Sequence, residues 1–430
     1  MSKIKIYLDN AATTPLDPRV LAAMMSYLKE SYGNASSIHS LGQEAKEAIE
    51  KARKTIADFI GAKPEGIAFT SGGTEADNFA IKQIAFNFQN QGKHIITSAI
   101  EHDAVLNPCK FLEKNTRLLT PERSDGGQDF KVTYLKVDND GLIDLNELEK
   151  SITDETILIS VMHANNEVGV MEPITEIGQI VKKIREDRKN KNIQTPIYFH
   201  TDAVQTFGHL PIKVDELGID FLSASAHKVY GPKGVGILYH RSGIKLDPLI
   251  HGGGHESGWR SGTENVPGIV GFAKAIELAQ AEMNIEYKRL TEWREKLIQG
   301  LEKIKDVTLN GHRHLRLPNN INISVKGVEG EAVLLYLDKK GIACSTGSAC
   351  SSHSLKPSHV LLALGKTPEE AHSSLRFTMG RFTKEGDINY LLKTLPPIIE
   401  QLRKMSPIWQ EDLTKKEIYH DKCFGKEDKC

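Results

Sequence analysis

The sequence predicts an α/β protein with a mainly parallel seven-stranded sheet in a large domain, joined to a smaller α+β domain. Three observations lead to this prediction. The chain has 430 residues, which is too long for one small core. Seven short apolar runs alternate with helical patterns through the first part of the chain. The pattern then changes after Gly262.

The seven apolar runs are bounded by polar or glycine-rich segments. A helical pattern between them is clearest at Ala45, Ala48, Ala52 and Ile56, which recur at three- and four-residue spacing. Strands separated by helices indicate crossover connections and a buried parallel sheet, in which ligands bind at the carboxyl ends of the strands. The predicted strands are 67–70, 95–98, 132–137, 157–162, 197–201, 221–224 and 235–239.

The part after Gly262 predicts a different architecture. A long helical pattern covers about 273–304, short strands are expected at 321–325 and 375–379, and a second helix is expected at 387–404. The stretch from about residue 410 is charged and poor in apolar residues, which is typical of an exposed tail.

The composition is that of a globular protein. Hydrophobic residues make up 39% and charged residues 26% of the chain, and 55 basic residues balance 56 acidic ones. A net charge of −1 gives no overall electrostatic field that would attract nucleic acid or an anionic membrane. No apolar run approaches the ~18 residues of a membrane helix, and the first residues do not resemble a signal peptide. We therefore expect a cytoplasmic protein with no direct nucleic-acid or membrane partner.

The number and spacing of the cysteines argue against a structural role for them. The five are odd in number and scattered, which disfavours a disulfide framework. No Cys-x-x-Cys pair suggests zinc or an iron–sulfur cluster. One of them is then a candidate reactive thiol. They are Cys109, Cys344, Cys350, Cys423 and Cys430.

Other metal sites are not expected. The acidic run that begins at Asp138 imitates part of a calcium loop, but a strand rather than a helix precedes it. His251 and His255 are separated by glycines, which disfavours the helix that a metal pair needs. A soft-metal site in the tail is less favoured than an oxidisable tail.

A glycine-rich segment, 70–75, follows the first predicted strand and opens a helical pattern. Glycines at Gly72 and Gly73 and the hydroxyl of Thr74 could hold a phosphate at the helix N-terminus. The alternative is a tight turn in which Thr74 is an N-cap.

Two strand exits carry the other candidate groups. Asp202 ends a strongly apolar strand and could keep a pyridine ring protonated, although taken alone it is better explained as the cap of a following helix. Lys228 lies between an apolar strand and a Gly/Pro loop, where a desolvated amine can form a Schiff base with an aldehyde. Ser225 and His227 flank it as phosphate donors. Phosphate, pyridinium and aldehyde together describe pyridoxal 5'-phosphate.

With these motifs in place, the chain resembles the cysteine desulfurases of the NifS/IscS kind from Ile6 to about Thr383. The resemblance implies a fold-type-I, pyridoxal-phosphate-dependent homodimer. The matching segments are 7–15, 73–74, 100–102, 165–169, 202–205, 225–228, 260–265, 347–350 and 375–377.

The resemblance also implies roles for individual residues. Lys228 would bind the cofactor covalently, Asp202 would pair with the pyridinium nitrogen, and His102 would stack on the ring and assist proton transfer. Arg376 would clamp the substrate carboxylate with its planar fork. The remaining assignments are Gln205 and Asn165 at the phenolic oxygen, Asn165 also at the substrate carboxylate, and Gly73, Thr74, Ser225, His227 and the partner subunit's Thr263 at the phosphate.

Cys350 selects the chemistry within this family. Its neighbours in 345–354 are small and polar, which indicates a mobile loop. Its thiolate would attack the sulfur of bound L-cysteine, leaving L-alanine and a persulfide. We expect this sulfur to pass to an acceptor such as an iron–sulfur scaffold protein, for cluster assembly, tRNA thiolation or both.

The resulting domain prediction is a large cofactor-binding domain at 15–262, a small domain formed by 1–14 and 263–405, and a tail at 406–430. The small domain includes the Cys350 loop. Three features depart from the family: Ser257 where arginine is common, a longer connection at 116–131, and the tail cysteines.

Two other enzyme functions of the same fold stay open, a selenocysteine lyase and a small-amino-acid aminotransferase. The Cys350 loop argues against the aminotransferase, which needs no thiol. A scaffold without activity is the third alternative, and the joint presence of Lys228, Asp202, His102 and Arg376 argues against it.

Overall fold

A computed structural model describes residues 6–119, 130–347, 356–406 and 409 of the chain. Its strands, β1 to β12 in chain order, are Ile6–Tyr7, Ile67–Thr70, His94–Ser98, Lys131–Leu135, Thr156–Ser160, Tyr198–Asp202, Phe221–Ser225, Gly236–His240, Val307–Leu309, Asn320–Val325, Ile342–Ala343 and Ser374–Thr378. Its helices, α1 to α11, are Pro18–Lys29, Ser40–Ile60, Gly73–Phe88, Asp103–Leu119, Leu145–Ser151, Ile174–Asn190, Val266–Leu301, Gly330–Lys339, His359–Ala363, Pro368–His372 and Glu385–Met405.

The seven predicted strands of the first part form one sheet, in the order β2-β8-β7-β6-β5-β3-β4. The pairs among β4, β3, β5, β6 and β7 are parallel, whereas β8 runs antiparallel to both β7 and β2. The predicted α/β class with a mainly parallel sheet is therefore confirmed. The inner strands are buried along nearly their whole length because helices cover both faces of the sheet.

Each face of the sheet has its own apolar core. On one face, Ile56 and Phe59 of α2 pack with Ile159 of β5 in a large cluster that also includes α6 and α7. On the other face, Phe79 of α3 and Leu112 of α4 belong to a second cluster. The three- and four-residue spacing that predicted α2 thus marks its buried side.

A second, smaller core surrounds a three-stranded antiparallel sheet in the order β12-β10-β9. Helices α8 and α11 and the C-terminal half of α7 pack on it. The short parallel pair β1–β11 brings the N-terminal strand into this unit, where Leu8 is fully buried. The predicted smaller α+β part is present.

Helix α7 spans the two cores. It starts earlier than predicted, because Asn265 caps it by accepting a hydrogen bond from the Gly268 amide at 3.1 Å. Phe272 and Ile276 pack in the large core, whereas Leu297 packs in the small one. We therefore propose that the boundary between the predicted domains lies inside α7 rather than at residue 262. No described helix is long and apolar enough to cross a membrane.

Candidate functional site

A cavity of about 270 Å³ lies at the carboxyl ends of the parallel strands, between the two cores. This is the position expected for a ligand site in an open α/β sheet. Nine of the predicted site residues line it: Gly73, Thr74, His102, Asp202, Gln205, Ser225, His227, Lys228 and Arg376.

Lys228 reaches the cavity from a single turn of 3₁₀ helix that directly follows β7. Its Nζ donates to the carbonyl oxygens of Ala11 at 2.6 Å and Ala12 at 2.9 Å. Gln205 donates from Nε2 to the same Ala11 oxygen at 3.1 Å. The N-terminal segment thus orients the amine at the cavity wall.

One end of the cavity is formed by the start of α3. Gly72 occupies the N-cap position and provides no capping side chain, so the first amides of the helix face the cavity end without a side-chain acceptor. The alternative prediction of Thr74 as N-cap is wrong, because Thr74 is already inside the helix. A Cβ on Gly73 would lie 2.6 Å from Val204 Cγ2, so only glycine allows this close approach.

Ser225 and His227 complete this end. The Nδ1 atom of His227 lies 3.1 Å from the Thr13 hydroxyl, which leaves Nε2 as the second hydrogen-bonding atom of the ring. Burial lowers the pKa of His227 to about 4, with the positive charges of Lys228 and Lys233 adding to the effect. The ring is therefore neutral at pH 7, and it can act as a hydrogen-bond donor without carrying a charge.

Asp202 lies at the other side of the cavity, at the end of β6. Its Oδ1 accepts from the Val204 amide at 2.8 Å, and a turn rather than a helix follows. The alternative prediction of a helix cap is thus wrong. Burial raises the pKa of Asp202, while His102 and Lys228 oppose that rise. A cationic ring nitrogen beside this carboxylate would relieve the cost of burying its charge.

His102 follows β3 and precedes the first turn of α4. Its Nδ1 accepts from the Ala104 amide at 3.1 Å, so in the neutral ring the proton is on Nε2. This contact fixes the ring at the cavity wall. His102 lines the cavity, and its stacking on the ring stays a prediction.

Asn165 does not line the cavity, contrary to its predicted contacts with the cofactor and substrate. It is fully buried, donates to the Ile100 oxygen at 2.8 Å, and accepts from the amides of Glu167 and Val168. With these bonds the Asn165 side chain stabilises the loop conformation and does not face the cavity. Its neighbour Asn166 lines the cavity instead.

Arg376 enters from β12 of the small unit and is almost fully buried. Its Nη1 donates to the Asn166 oxygen at 2.9 Å and its Nη2 to Asp9 Oδ1 at 3.0 Å. Its Nε has no hydrogen-bond partner among the described residues. The guanidinium is thus held firmly and retains donor capacity for an anion.

Among the described residues, one further predicted site residue, Thr263, does not line this cavity. Cys350 and the tail cysteines lie outside the described residues, as does 120–129 of the predicted long connection. Thr263 lines a separate cavity of about 70 Å³ with Ser71 and Arg260. A contribution of Thr263 to the phosphate would have to come from a partner subunit, as the resemblance implied.

The two described cysteines have high thiol pKa values. Burial is the main cause for both Cys109 and Cys344, and Asp9 adds to the effect at Cys344. Such thiols are poor nucleophiles at neutral pH, because the thiolate is the reactive form.

Asp77 also lines the cavity and is 1% exposed, although it was not among the predicted site residues. It lies four residues after Gly73 on the same face of α3. That spacing from the phosphate segment was the signal that could have found it.

The residues present suit pyridoxal 5'-phosphate. Helix amides with Ser225 and His227 provide anion donors, and Asp202 provides a carboxylate on the wall of the same cavity. Lys228 lies on the wall as the amine for the aldehyde. Arg376 also lines the cavity, and Nη1 and Nη2 each have a second N–H beyond the bonds to Asn166 and Asp9, which suits a substrate carboxylate.

Comparisons with known proteins agree with this site. Residues 6–391 match the family model described as aminotransferase class-V. The chain is 56% identical over 410 residues to "Cysteine desulfurase IscS" of Dictyoglomus turgidum, covering 95% of this chain and 98% of that protein. A solved "NifS-like protein" is 39% identical with a TM-score of 0.81, covering 92% and 99% of the two chains. The structure titled "SspA in complex with cysteine" is 38% identical with a TM-score of 0.73, covering 88% and 100%.

Proposed function

The chain belongs to the aminotransferase class-V family, and from this premise we infer that it is a pyridoxal-phosphate-dependent cysteine desulfurase, which converts L-cysteine to L-alanine and carries the sulfur as a persulfide. The observation that supports this function best is the convergence of Lys228, Asp202 and the N-terminus of α3 on one cavity. No single one of these features would be specific. Together they match the aldehyde, the ring nitrogen and the phosphate of one cofactor.

The cofactor supplies one chemical capability when bound, the withdrawal of electrons from the substrate carbons. Lys228 would hold it covalently and later exchange it for the substrate amine. Asp202 would keep the ring nitrogen protonated, and the neutral His227 with Ser225 would bind the phosphate together with the amides of α3. Gln205 would contact the phenolic oxygen.

Substrate binding is assigned to Arg376. Its contacts to Asp9 and the Asn166 carbonyl hold the guanidinium plane, so little side-chain freedom is lost when a carboxylate binds. We propose that Asn166 replaces Asn165 as the amide that faces the ligand. His102, with its proton on Nε2, can deliver or accept that proton beside the substrate carbons.

Sulfur transfer is assigned to Cys350. Its thiolate attacks the substrate sulfur, a sulfur–sulfur bond forms, and the carbon–sulfur bond of the substrate breaks. The electron pair of that bond remains on the substrate carbon, which gains a proton to give L-alanine. The two described cysteines, Cys109 and Cys344, are disfavoured as the nucleophile by their raised thiol pKa values.

We further propose that the chain acts as a homodimer in the cytoplasm, with Thr263 of the partner subunit at the phosphate, and passes its sulfur to an acceptor protein such as an iron–sulfur scaffold. Support for the dimer is the position of Thr263, which lies in a different cavity from Gly73 within one chain. The acceptor rests on the IscS name of the relatives.

The test is mass spectrometry of purified protein treated with cysteine and then alkylated. We expect an added sulfur on the Cys350 peptide and release of alanine. Cys350→Ser should still bind cofactor but release almost no alanine. Cys344→Ser is the matched control and should remain active. An added sulfur on Cys344 or Cys109 with unmodified Cys350 would overturn the assignment.

Covalent attachment is tested separately with borohydride, which should fix the cofactor to the peptide that contains Lys228. Lys233 is the internal control, because it lies five residues further on and is exposed. Recovery of the label on Lys233 would exclude Lys228 as the attachment site.

A further inference from the structure

Asp77 is a buried carboxyl group that the mechanism above does not use. It lies on the first turns of α3 and is 1% exposed, and it lines the same cavity as Asp202. Its Oδ1 has no hydrogen-bond partner among the described residues, although the His200 Nε2 atom lies 3.6 Å away. An unpaired carboxylate at such a position would be costly, since burial strongly disfavours the charged form.

Asp77 is the end of a buried polar chain beneath the cavity. Ser160 Oγ lies 2.8 Å from His200 Nδ1, and His200 Nε2 lies 3.0 Å from Ser223 Oγ. The Ser223 hydroxyl faces Asp77, and its interaction with the carboxyl group opposes the rise in the Asp77 pKa. Ser160, His200 and Ser223 are fully buried, and they come from three adjacent strands of the sheet.

The surroundings of Asp77 and Asp202 favour a single negative charge on the pair. Burial lowers the pKa of His200 to about 3, so its ring is neutral and provides no positive charge. Burial raises the pKa of Asp77 well above its usual range, and the nearby charge of Asp202 raises it further. Lys228 is the cationic side chain that faces Asp202, and Asp202 also accepts a hydrogen bond from the Val204 amide. Asp202 is therefore the better site for the single negative charge.

We propose that Asp77 is a positioning residue for the cofactor. As a neutral acid it closes the chain Ser160–His200–Ser223 and keeps the negative charge of the carboxyl pair on Asp202, beside the ring nitrogen. This inference rests on the proposed cofactor site. It adds a residue that would control the charge on Asp202, the proposed partner of the ring nitrogen, without contacting the reacting atoms.

The proposal is tested with Asp77→Asn and Asp77→Ala. The asparagine is neutral and nearly the same shape, so cofactor affinity should stay within about twofold and the pH titration of the bound-cofactor absorbance should not shift. The alanine leaves Ser223 and Asp202 without their neighbour, and cofactor affinity should fall roughly five- to fiftyfold. If Asp77→Ala does not fold, the absorbance titration of Asp77→Asn still tests the proposal.

Infrared spectroscopy reports directly whether the Asp77 carboxyl group carries a proton. Wild-type protein should show the carbonyl band of a protonated carboxylic acid that is lost in Asp77→Asn. Glu172→Gln is the control, because Glu172 is also buried, with an unpartnered Oε1 among the described residues, but does not line the cavity. Burial raises the pKa of Glu172 to about 8, so it too is protonated at pH 7. The control variant should lose a band of its own and leave the absorbance titration unchanged.

The outcomes separate this inference from the proposed function. A titration in Asp77→Asn that shifts by about one pH unit or more would mean that a charge had been removed, and the proposal would be wrong. The same follows if the variant keeps every acid band of the wild type. Failure of wild-type protein to bind the cofactor would instead contradict the proposed function, while the infrared measurement on cofactor-free protein would still report the state of Asp77.

Discussion

Arg376 shows how a single side chain is prepared for an anion. Two hydrogen bonds hold its outer nitrogens, to Asp9 and to the Asn166 carbonyl, while Nε keeps an unused donor. The guanidinium cannot lose its charge at physiological pH, so burial does not neutralise it. Arg376 lines the cavity in this fixed orientation, which supports its proposed role as the contact for a ligand carboxylate.

Replacement of Arg376 should weaken substrate binding rather than cofactor binding. Loss of a charge-assisted contact costs about 1.5–3 kcal/mol, which corresponds to roughly a ten- to hundredfold loss of apparent cysteine affinity. Titration of Arg376→Ala with cysteine, followed by cofactor absorbance, checks this. Arg313→Ala removes an arginine that pairs with Glu302 near the surface and should titrate normally. A normal titration of Arg376→Ala would mean that another residue holds the carboxylate.

The two adjacent asparagines should behave differently. Asn165 makes three hydrogen bonds to backbone groups in a fully buried loop, so Asn165→Ala should destabilise the fold by about 1–3 kcal/mol. Asn166→Ala should change the fold less and weaken cofactor or cysteine binding more. Denaturant unfolding and ligand titration of both variants distinguish the roles. Equal stability losses with unchanged binding in both would contradict the reassignment to Asn166.

At the scale of elements, the approach of α3 to the loop after β6 determines the shape of the phosphate end. Gly73 lies so close to Val204 that a Cβ would be 2.6 Å from Cγ2, and a Cβ on Gly236 of β8 would lie 2.7 Å from the Gly72 backbone. The helix start is thus packed tightly between two neighbouring segments. This packing brings the first amides of α3 to the cavity.

Gly73→Ala should therefore weaken cofactor binding. Overpacking costs about 1–3 kcal/mol, and part of it would appear as a roughly five- to hundredfold loss of cofactor affinity as the helix start moves. Gly386→Ala is a matched control in the first turn of α11, where a Cβ meets nothing within 4 Å. It should leave cofactor affinity unchanged. Equal affinities in the two variants would show that the start of α3 tolerates displacement.

At the scale of the whole molecule, the N-terminal segment connects the two cores across the cavity. Leu8 packs in the small core, Ala11 and Ala12 accept from Lys228, and the Thr14 hydroxyl donates to the His227 carbonyl at 2.9 Å. Helix α7 joins the same cores on another side. The cavity is therefore bounded by both units and by the segments that link them.

The proposed dimer predicts complementation between defective subunits. Lys228→Ala and Thr263→Ala should each weaken or abolish the site in a homodimer. In a mixed dimer, one site would combine Lys228 of one subunit with the partner subunit's Thr263 and should recover high-affinity cofactor binding. Cofactor titration of the two variants after co-refolding measures this, with each variant refolded alone as the control. No recovery in a dimer shown by sedimentation to be mixed would contradict shared sites.

The sequence by itself determined the class of the fold and most of the site. Seven apolar runs predicted seven strands, and all of them occur in one sheet within one or two residues of the expected bounds. Lys228, Asp202 and the segment at Gly73 could be identified because each follows such a strand. The carboxyl ends of parallel strands meet at one edge, so local pattern implied spatial proximity.

Only the tertiary structure decided which groups face the ligand and which are committed to the protein. Asn165 and Asn166 are identical in chemistry and adjacent in sequence, and their backbone conformation alone gives one to the loop and the other to the cavity. Asp77 looked like any polar residue on a helix until the packing of α3 on the sheet buried it beside Asp202. Charge state and exposure depend on neighbours distant in sequence, and a local pattern does not contain them.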